Sequence, residues 1–331
     1  MNKQLKIGAI GCSSIGKRVI FPAINESNIC NLKIIGSRSI KKAKNTASIF
    51  HCKEFGSYEE VIEDKEIDIV YVSLPIALQE FWVLKAIRSG KHVLCEKSIS
   101  PSFSSLKKIW KECQKNNVKV LEGFSFRHHP QHIFVKKMLE EKKLGELHNI
   151  STSFVLPIMP SVNDFRFNKK LGGGILNDVG CYIINSARYF FNDEPISVKC
   201  ELIRNTKYDI DVRGTIYLSF KNKNTCFGLI GYENTFSSDY RIFCNNGIII
   251  SDKAYNPKNS EKTQINIKTK IIKIKRFSPV NQSRLMIEEF CKNITSDKHE
   301  LESEFVNQGK VMEAARISNK KNKIVFLREF N

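Results

Sequence analysis

Asp178 and Tyr182 stand four residues apart, behind a run of glycines, Gly172, Gly173 and Gly174. Four residues on a helix bring a carboxylate and a phenol to one face, and the glycines let a backbone approach something closely. This pattern is either a substrate platform or a capped helix with a packed tyrosine. Asp164-Phe165-Arg166 adds a charged pair upstream. In a second cluster, Glu96-Lys97 follows the apolar stretch His92-Val93-Leu94-Cys95. A buried strand there would deliver an acid and a base to the edge of a sheet, where charge is costly unless it is used or paired. A lysine in a cleft can hold a substrate oxygen and lower the pKa of a neighbouring phenol; at a solvated strand end the same pair would be idle. The third cluster is Arg127-His128-His129-Pro130-Gln131-His132. Three histidines invite a metal, but Pro130 breaks the spacing and no H-E-x-x-H or facial-triad pattern exists, so no metal site is expected. Arg127 and His128 are expected to line a cleft at a domain junction.

At the start of the chain, Leu5-Lys6-Ile7-Gly8-Ala9-Ile10 runs into Gly11-Cys12-Ser13-Ser14-Ile15-Gly16. This strand, glycine turn and helix match the G-x-G-x-x-G dinucleotide fingerprint, with Ser13 in the middle glycine position. Backbone N–H groups at the opening of the helix would cradle a pyrophosphate. The second strand ends in Ser37-Arg38-Ser39, where a site for NAD(H) would carry a carboxylate for the ribose 2′-hydroxyl. Arg38 suits a 2′-phosphate instead, so NADP(H) is expected over NAD(H). Leu74-Pro75 closes the strand Ile67–Ser73 at the carboxyl edge, where ligands of open α/β sheets bind.

The elements that must position these residues fall into two textures. Up to about residue 123, βα units repeat: strands near 4–10, 32–37, 68–73, 91–95 and 118–122, and helices near 14–26, 40–50, 57–63, 77–89 and 102–116. After a helix near 130–142 come alternating stretches at 147–156, 197–205, 212–220, 224–232 and 240–250, interrupted by a helix at 172–191 and closed by helices at about 281–295 and 302–318. The pattern predicts a Rossmann domain over 1–123 and, over 124–331, an α+β substrate-binding and oligomerisation domain built on an open, mainly antiparallel sheet. On the strand 212–220, Ile216, Leu218 and Phe220 would face one side, with Tyr217 and Ser219 on the other.

The formal charge of +19 reflects a lysine-rich composition. The lysines are scattered rather than stacked with aromatics, and no nucleic-acid-binding motif is present. A positive field would favour anionic ligands, and Arg127, Arg166, Lys169 and Lys170 are the expected cations for a diphosphate. Ten cysteines without a C-x-x-C pair suit a reduced, cytoplasmic protein. Neither a signal peptide nor a membrane span is expected.

Together, the glycine turn, the G-K-H-V-L-C-E-K strand, the R-x-H-P-Q junction and the G-G-G-x-L-x-D-x-G-x-Y helix resemble the Gfo/Idh/MocA oxidoreductases over essentially the whole chain. The resemblance implies that Lys97 is the family's E-K lysine, Tyr182 the acid/base and Asp178 a substrate-orienting carboxylate. It also implies cofactor contacts from Gly11 to Gly16 and from Ser37, Arg38, Leu74, Pro75, Gln79, Glu96 and Lys97. Arg127, His128 and Arg166 would join Asp178 and Tyr182 at the substrate, and the open sheet would form a homo-oligomer. Three positions depart from the family. Ser13 could donate to phosphate. Gln79 stands where many members carry histidine. Ser98 replaces the proline of E-K-P, whose bond is often cis; since a cis bond without proline costs roughly 3 kcal/mol, the Lys97–Ser98 bond is expected to be trans, or else strained. The turn at Leu74-Pro75, the R-H-H-P-Q-H segment and Asp164-Phe165-Arg166 resemble nucleotide-sugar 3-ketoreductases. The alternatives are a free-aldose or trans-dihydrodiol dehydrogenase, or a non-catalytic dinucleotide-sensing or scaffold protein.

Overall fold

The computed structural model describes residues 4–161, 164–232, 235–294 and 304–330. The chain divides into two compact units, one made of 1–125 with 281–306 and the other of 126–280 with 307–331.

The first unit holds six strands: β1 (Leu5–Ile10), β2 (Cys30–Gly36), β3 (Glu54–Gly56), β4 (Ile69–Val72), β5 (His92–Cys95) and β6 (Val120–Glu122). All pair in parallel in the order β3-β2-β1-β4-β5-β6, the doubly wound dinucleotide-binding arrangement. Helices α1 (Phe21–Asn25), α2 (Ile40–Ile49), α3 (Tyr58–Glu63), α4 (Ile76–Arg88) and α5 (Phe103–Asn116) cover it. β4 is apolar along its length, Ile-Val-Tyr-Val, as a strand buried on both faces must be.

The predicted boundary at 123 needs one correction. The helix Gln282–Ile294 belongs to this first unit. Its apolar stripe, Met286, Ile287, Phe290 and Cys291, is buried in one core with Phe21, Ile24, Cys30 and Ile35, and that burial outweighs its distance in sequence.

The second unit opens with α6 (Pro130–Glu140), β7 (Leu147–Val155) and α7 (Cys181–Phe191). Seven strands follow: β8 (Ser197–Asn205), β9 (Ile210–Ser219), β10 (Thr225–Gly231), β11 (Ser237–Cys244), β12 (Gly247–Ser251), β13 (Thr263–Lys268) and β14 (Ile272–Phe277). The helix Gln282–Ile294 is α8, and α9 (Glu304–Lys321) and β15 (Val325–Phe326) end the chain. The predicted helix ends at 295 and 302–303 lie outside the described residues.

These strands form a single sheet in the order β14-β13-β12-β11-β7-β10-β9-β8-β15, antiparallel except where β10 lies parallel to β7. The predicted strand 240–250 is a hairpin, because Asn245-Asn246 turns the chain between β11 and β12. α7 covers one face so closely that a side chain at Gly228 would collide with Ile183. Ile216, Leu218 and Phe220 are buried. The alternate positions face the other way, leaving Tyr217 41%, Phe227 47% and Leu229 45% exposed.

Candidate active site

In the first unit the glycine turn folds as its residue types require. Gly11 ends β1 with φ +105°, and a Cβ there would lie 2.5 Å from the Ser73 carbonyl oxygen. Cys12 is buried, Ser13 half-buried, and Ser14 and Ile15 are exposed. The Gly16 N–H donates to Ser13 Oγ at 2.9 Å. Gly16–Ile20 form a π turn, which leads into α1. Where β2 ends, Ser37 is buried and Arg38 is exposed; burial raises the pKa of Tyr58, and the charge of Arg38 opposes that rise. Ser39 caps α2 by accepting from Lys42 N–H at 3.3 Å. No carboxylate stands in this turn. A cradle open only because residue 11 lacks a side chain, followed by a guanidinium in place of an acid, fits a dinucleotide carrying a 2′-phosphate.

Leu74 and Pro75 close β4 and are half-buried. Gln79 lies buried in α4, and its Nε2 donates to the Leu74 carbonyl at 2.9 Å while its Oε1 has no partner among the described residues. At the end of β5, Glu96 accepts from the Tyr71 hydroxyl at 2.8 Å. Burial raises the pKa of Glu96, opposed by that hydrogen bond and by Lys97. Lys97 is half-buried, and its bond to Ser98 is cis, not trans.

In the second unit, Asp178 sits in a π turn, Leu176–Gly180, that opens into α7. The sequence pattern predicted an unbroken α-helix here. The wider turn instead places Asp178 and Tyr182 on either side of a change in helical pitch. A side chain at Gly174 (φ +120°) would collide with Asp211, whose carboxylate accepts from Leu176 N–H at 2.6 Å and anchors the turn. Asp178 is buried and accepts from Arg166 Nε at 2.8 Å and from the Tyr232 hydroxyl at 3.0 Å. Arg166 also reaches Asp164 at 3.2 Å. Burial opposes the charge on Arg166, but the two carboxylates outweigh it and hold the guanidinium firmly protonated. Tyr182 is half-buried, its ring packed 5.1 Å from Phe154, 5.5 Å from Tyr255 and 5.9 Å from Phe126. Gln308 pins α7 by donating to the Cys181 carbonyl at 2.9 Å and accepting from Arg188 at 3.0 Å.

Arg127 is half-buried over the ring of Tyr189, at 4.9 Å, and His128 is half-buried beside it. Lys169 pairs with Asp209 at 2.6 Å. Two of the four expected diphosphate cations, Arg166 and Lys169, are thus engaged with carboxylates. The other two histidines of the cluster are structural. His129 caps α6, accepting from Gln131 N–H at 3.1 Å. The buried His132 bonds Tyr240 at 3.1 Å and the Ala254 carbonyl at 2.5 Å. Burial lowers their pKa values to about 4 and about 3. Among the described residues, no helix is long and apolar enough to cross a membrane.

Residue type alone did not single out Tyr71 and Tyr232. A phenol buried among apolar residues requires a partner for its hydroxyl, and both find a carboxylate.

Residues 5–124 match the model of an oxidoreductase family with an NAD-binding Rossmann fold, and residues 132–250 match the GFO/IDH/MocA C-terminal domain. The chain belongs to the Gfo/Idh/MocA family of oxidoreductases. It is 28% identical to a dTDP-3,4-didehydro-2,6-dideoxy-alpha-D-glucose 3-reductase of Saccharopolyspora spinosa over 89% of each chain. It is 25% identical to a D-xylose 1-dehydrogenase (NADP(+)) of Haloferax volcanii, over 88% of this chain and 89% of that one. Among solved structures, KijD10, a 3-ketoreductase from Actinomadura kijaniata in complex with NADP and TDP-benzene, superposes with a TM-score of 0.90. It is 26% identical, with 96% of this chain and 98% of that one covered.

Proposed function

We propose that the protein is an NADP(H)-dependent oxidoreductase that interconverts a carbonyl and a carbinol on a dTDP-linked keto-sugar. The observation that carries this reading is the retention of Lys97, Asp178 and Tyr182 together with the Arg38 turn; a protein that only sensed a dinucleotide would have no use for all of them. NADP(H), when bound, supplies or takes up the hydride. Gly11 to Gly16 would cradle its pyrophosphate, Ser37 and Arg38 its 2′-phosphate, and Leu74, Pro75, Gln79 and Glu96 its nicotinamide end. Tyr182 gives the proton to, or takes it from, the reacting oxygen. Lys97 holds that oxygen and lowers the phenol's pKa from about 10 toward working pH. Asp178, fixed by Arg166 and Tyr232, orients a neighbouring hydroxyl. Arg127 and His128 contact the substrate, and Arg166 holds Asp178.

The dTDP-sugar reductase of Saccharopolyspora spinosa and the nucleotide-bound KijD10 support an activated sugar. A free aldose is the second reading, favoured by the carboxylate pairing of Arg166 and Lys169, which reduces the charge on offer to a diphosphate. NADPH consumption with matched panels of dTDP-linked keto-sugars, and NADP reduction with free aldoses and trans-dihydrodiols, decides between them. Turnover of free aldoses alone replaces the first substrate class, and no turnover in either panel removes the enzymatic reading.

The exposed Tyr217, Phe227 and Leu229 support a homo-oligomer formed through the open sheet. Ten cysteines, none in a disulfide among the described residues, suit a reducing compartment, and we place the protein in the cytoplasm.

A further inference from the structure

Two side chains of α9 end on the helical segment that carries Asp178. Gln308 is buried. Its Oε1 accepts from Arg188 Nη1 at 3.0 Å, and its Nε2 donates to the Cys181 carbonyl at 2.9 Å. Arg316 lies about two turns further along α9. It is half-buried and donates from Nη2 to Asn177 Oδ1 at 2.8 Å. Asn177 Nδ2 in turn donates to the Gly172 carbonyl at 3.0 Å. Both amides have only one possible orientation, because a guanidinium can only donate and a backbone carbonyl can only accept.

Asn177 and Cys181 flank Asp178, one near each end of the π turn Leu176–Gly180. A π turn holds one residue more than an α turn and is much the rarer state. Relaxing it to α slips one side of the helix by one residue, which rotates Asp178 by about 100° relative to Tyr182. Such a slip must move residue 177 with respect to residue 181. The Asp211 carboxylate cannot prevent it alone, since it holds only the Leu176 N–H, on one side. α9 holds both sides. Its own place is fixed by Val311, Met312 and Ala315, which are all buried.

We propose that Gln308 and Arg316 are positioning residues, through which α9 braces the π turn from both ends and sets where the Asp178 carboxylate lies relative to the Tyr182 phenol. The inference rests on the proposed function for the roles of Asp178 and Tyr182, but the brace itself does not.

The test uses full-length protein and three variants. Gln308→Glu keeps an acceptor for Arg188 and loses only the donor to Cys181. Arg316→Met removes the donor to Asn177, and Arg316→Lys keeps a cationic donor on a long stem. Amide hydrogen exchange without cofactor or substrate reads the brace. Residues 176–182 should exchange about tenfold faster or more in Gln308→Glu and in Arg316→Met, while β8, β9 and β10 keep the wild-type rate. Arg316→Lys should stay near wild type. Kinetics read the positioning, on matched keto-sugars with and without the hydroxyl next to the reacting carbon. The first two variants should lose about 10–100-fold in kcat on the substrate that has the hydroxyl, the scale of a misplaced catalytic group. They should lose much less on the one that lacks it. Unchanged exchange in either variant overturns the proposal. So does faster exchange spread equally over β8 to β10, or an equal kcat loss on both substrates. If Arg316→Met does not fold, Gln308→Glu decides alone. A wild type that turns over no sugar defeats the proposed function, and the exchange rates still decide whether α9 braces the turn.

Discussion

Arg166 Nε donates to Asp178 Oδ2 at 2.8 Å, and Asp178 receives a second hydrogen bond from Tyr232 on the same oxygen. Asp178 is buried, so the carboxylate depends on these donors to remain ionised. Arg166 is thereby a partner of Asp178, the proposed substrate-orienting group, more than a free cation.

Replacing Arg166 with leucine should therefore act through Asp178. The expected cost is about 1–3 kcal/mol of stability, less than for a fully buried pair because Arg166 is partly solvated. Turnover should fall at least about tenfold, and by similar factors for nucleotide-linked and free substrates. Denaturant unfolding and paired kinetics check this. A loss confined to nucleotide-linked substrates would return Arg166 to the role of phosphate ligand.

Arg38→Asp should swing cofactor preference from NADPH toward NADH by about 1–3 kcal/mol, the range of a charge-assisted hydrogen bond. Fluorescence titration of both cofactors on both proteins measures it. Equal wild-type affinities for NADPH and NADH would contradict the assignment.

Lys97→Met and Tyr182→Phe should each lose about 10²–10⁴-fold in kcat, the usual worth of general acid–base catalysis, with the fold intact. Tyr182→Phe should also bind NADPH as the wild type does. Near wild-type kcat in either variant would remove that residue from the reaction.

Folding lowers the pKa values of His129 and His132 to about 4 and about 3. The unfolded chain therefore takes up these protons first, near pH 6.5. Stability is complete above that pH and declines as pH falls toward the folded values. Between pH 6.5 and 5 the two together should cost roughly 3 kcal/mol. His132→Gln should lose about half of that dependence, as read from denaturant midpoints at several pH values.

Tyr217→Lys with Phe227→Lys should reduce the solution mass to that of a smaller species, measured by light scattering at micromolar concentration. Both side chains lie on the face away from α7, so the fold should tolerate the change. A wild-type monomer would rule out the proposed assembly.

Much of the candidate site's geometry was legible because its signals are local. A glycine turn, a strand ending in Glu96-Lys97 and a carboxylate four residues before Tyr182 can be read from neighbouring residues. What escaped was set by register across a sheet or by backbone hydrogen bonding. Tyr71 lies 25 residues from Glu96 and is brought to it by the pairing of β4 with β5, while Tyr232 lies 54 residues from Asp178 and meets it where the π turn packs against the end of β10. The π turns at Gly16 and Leu176 follow from which carbonyl an N–H selects, which residue type does not specify. β14 was missed although Ile272 and Ile274 alternate with Lys273 and Lys275; it is the edge strand of its sheet and its residues are exposed but for half-buried Phe277.

α8 completes the core beneath α1 and β2, yet it is encoded more than 150 residues after the sixth strand of that sheet. During synthesis the first unit thus emerges with its Phe21–Ile35 face bare. It must wait for strands β7 to β14 to be made before that face is covered. At about 5–20 residues per second, this exposes an apolar surface for roughly ten seconds or more, so the order of the genetic message leaves the N-terminal unit unfinished until the chain is nearly complete.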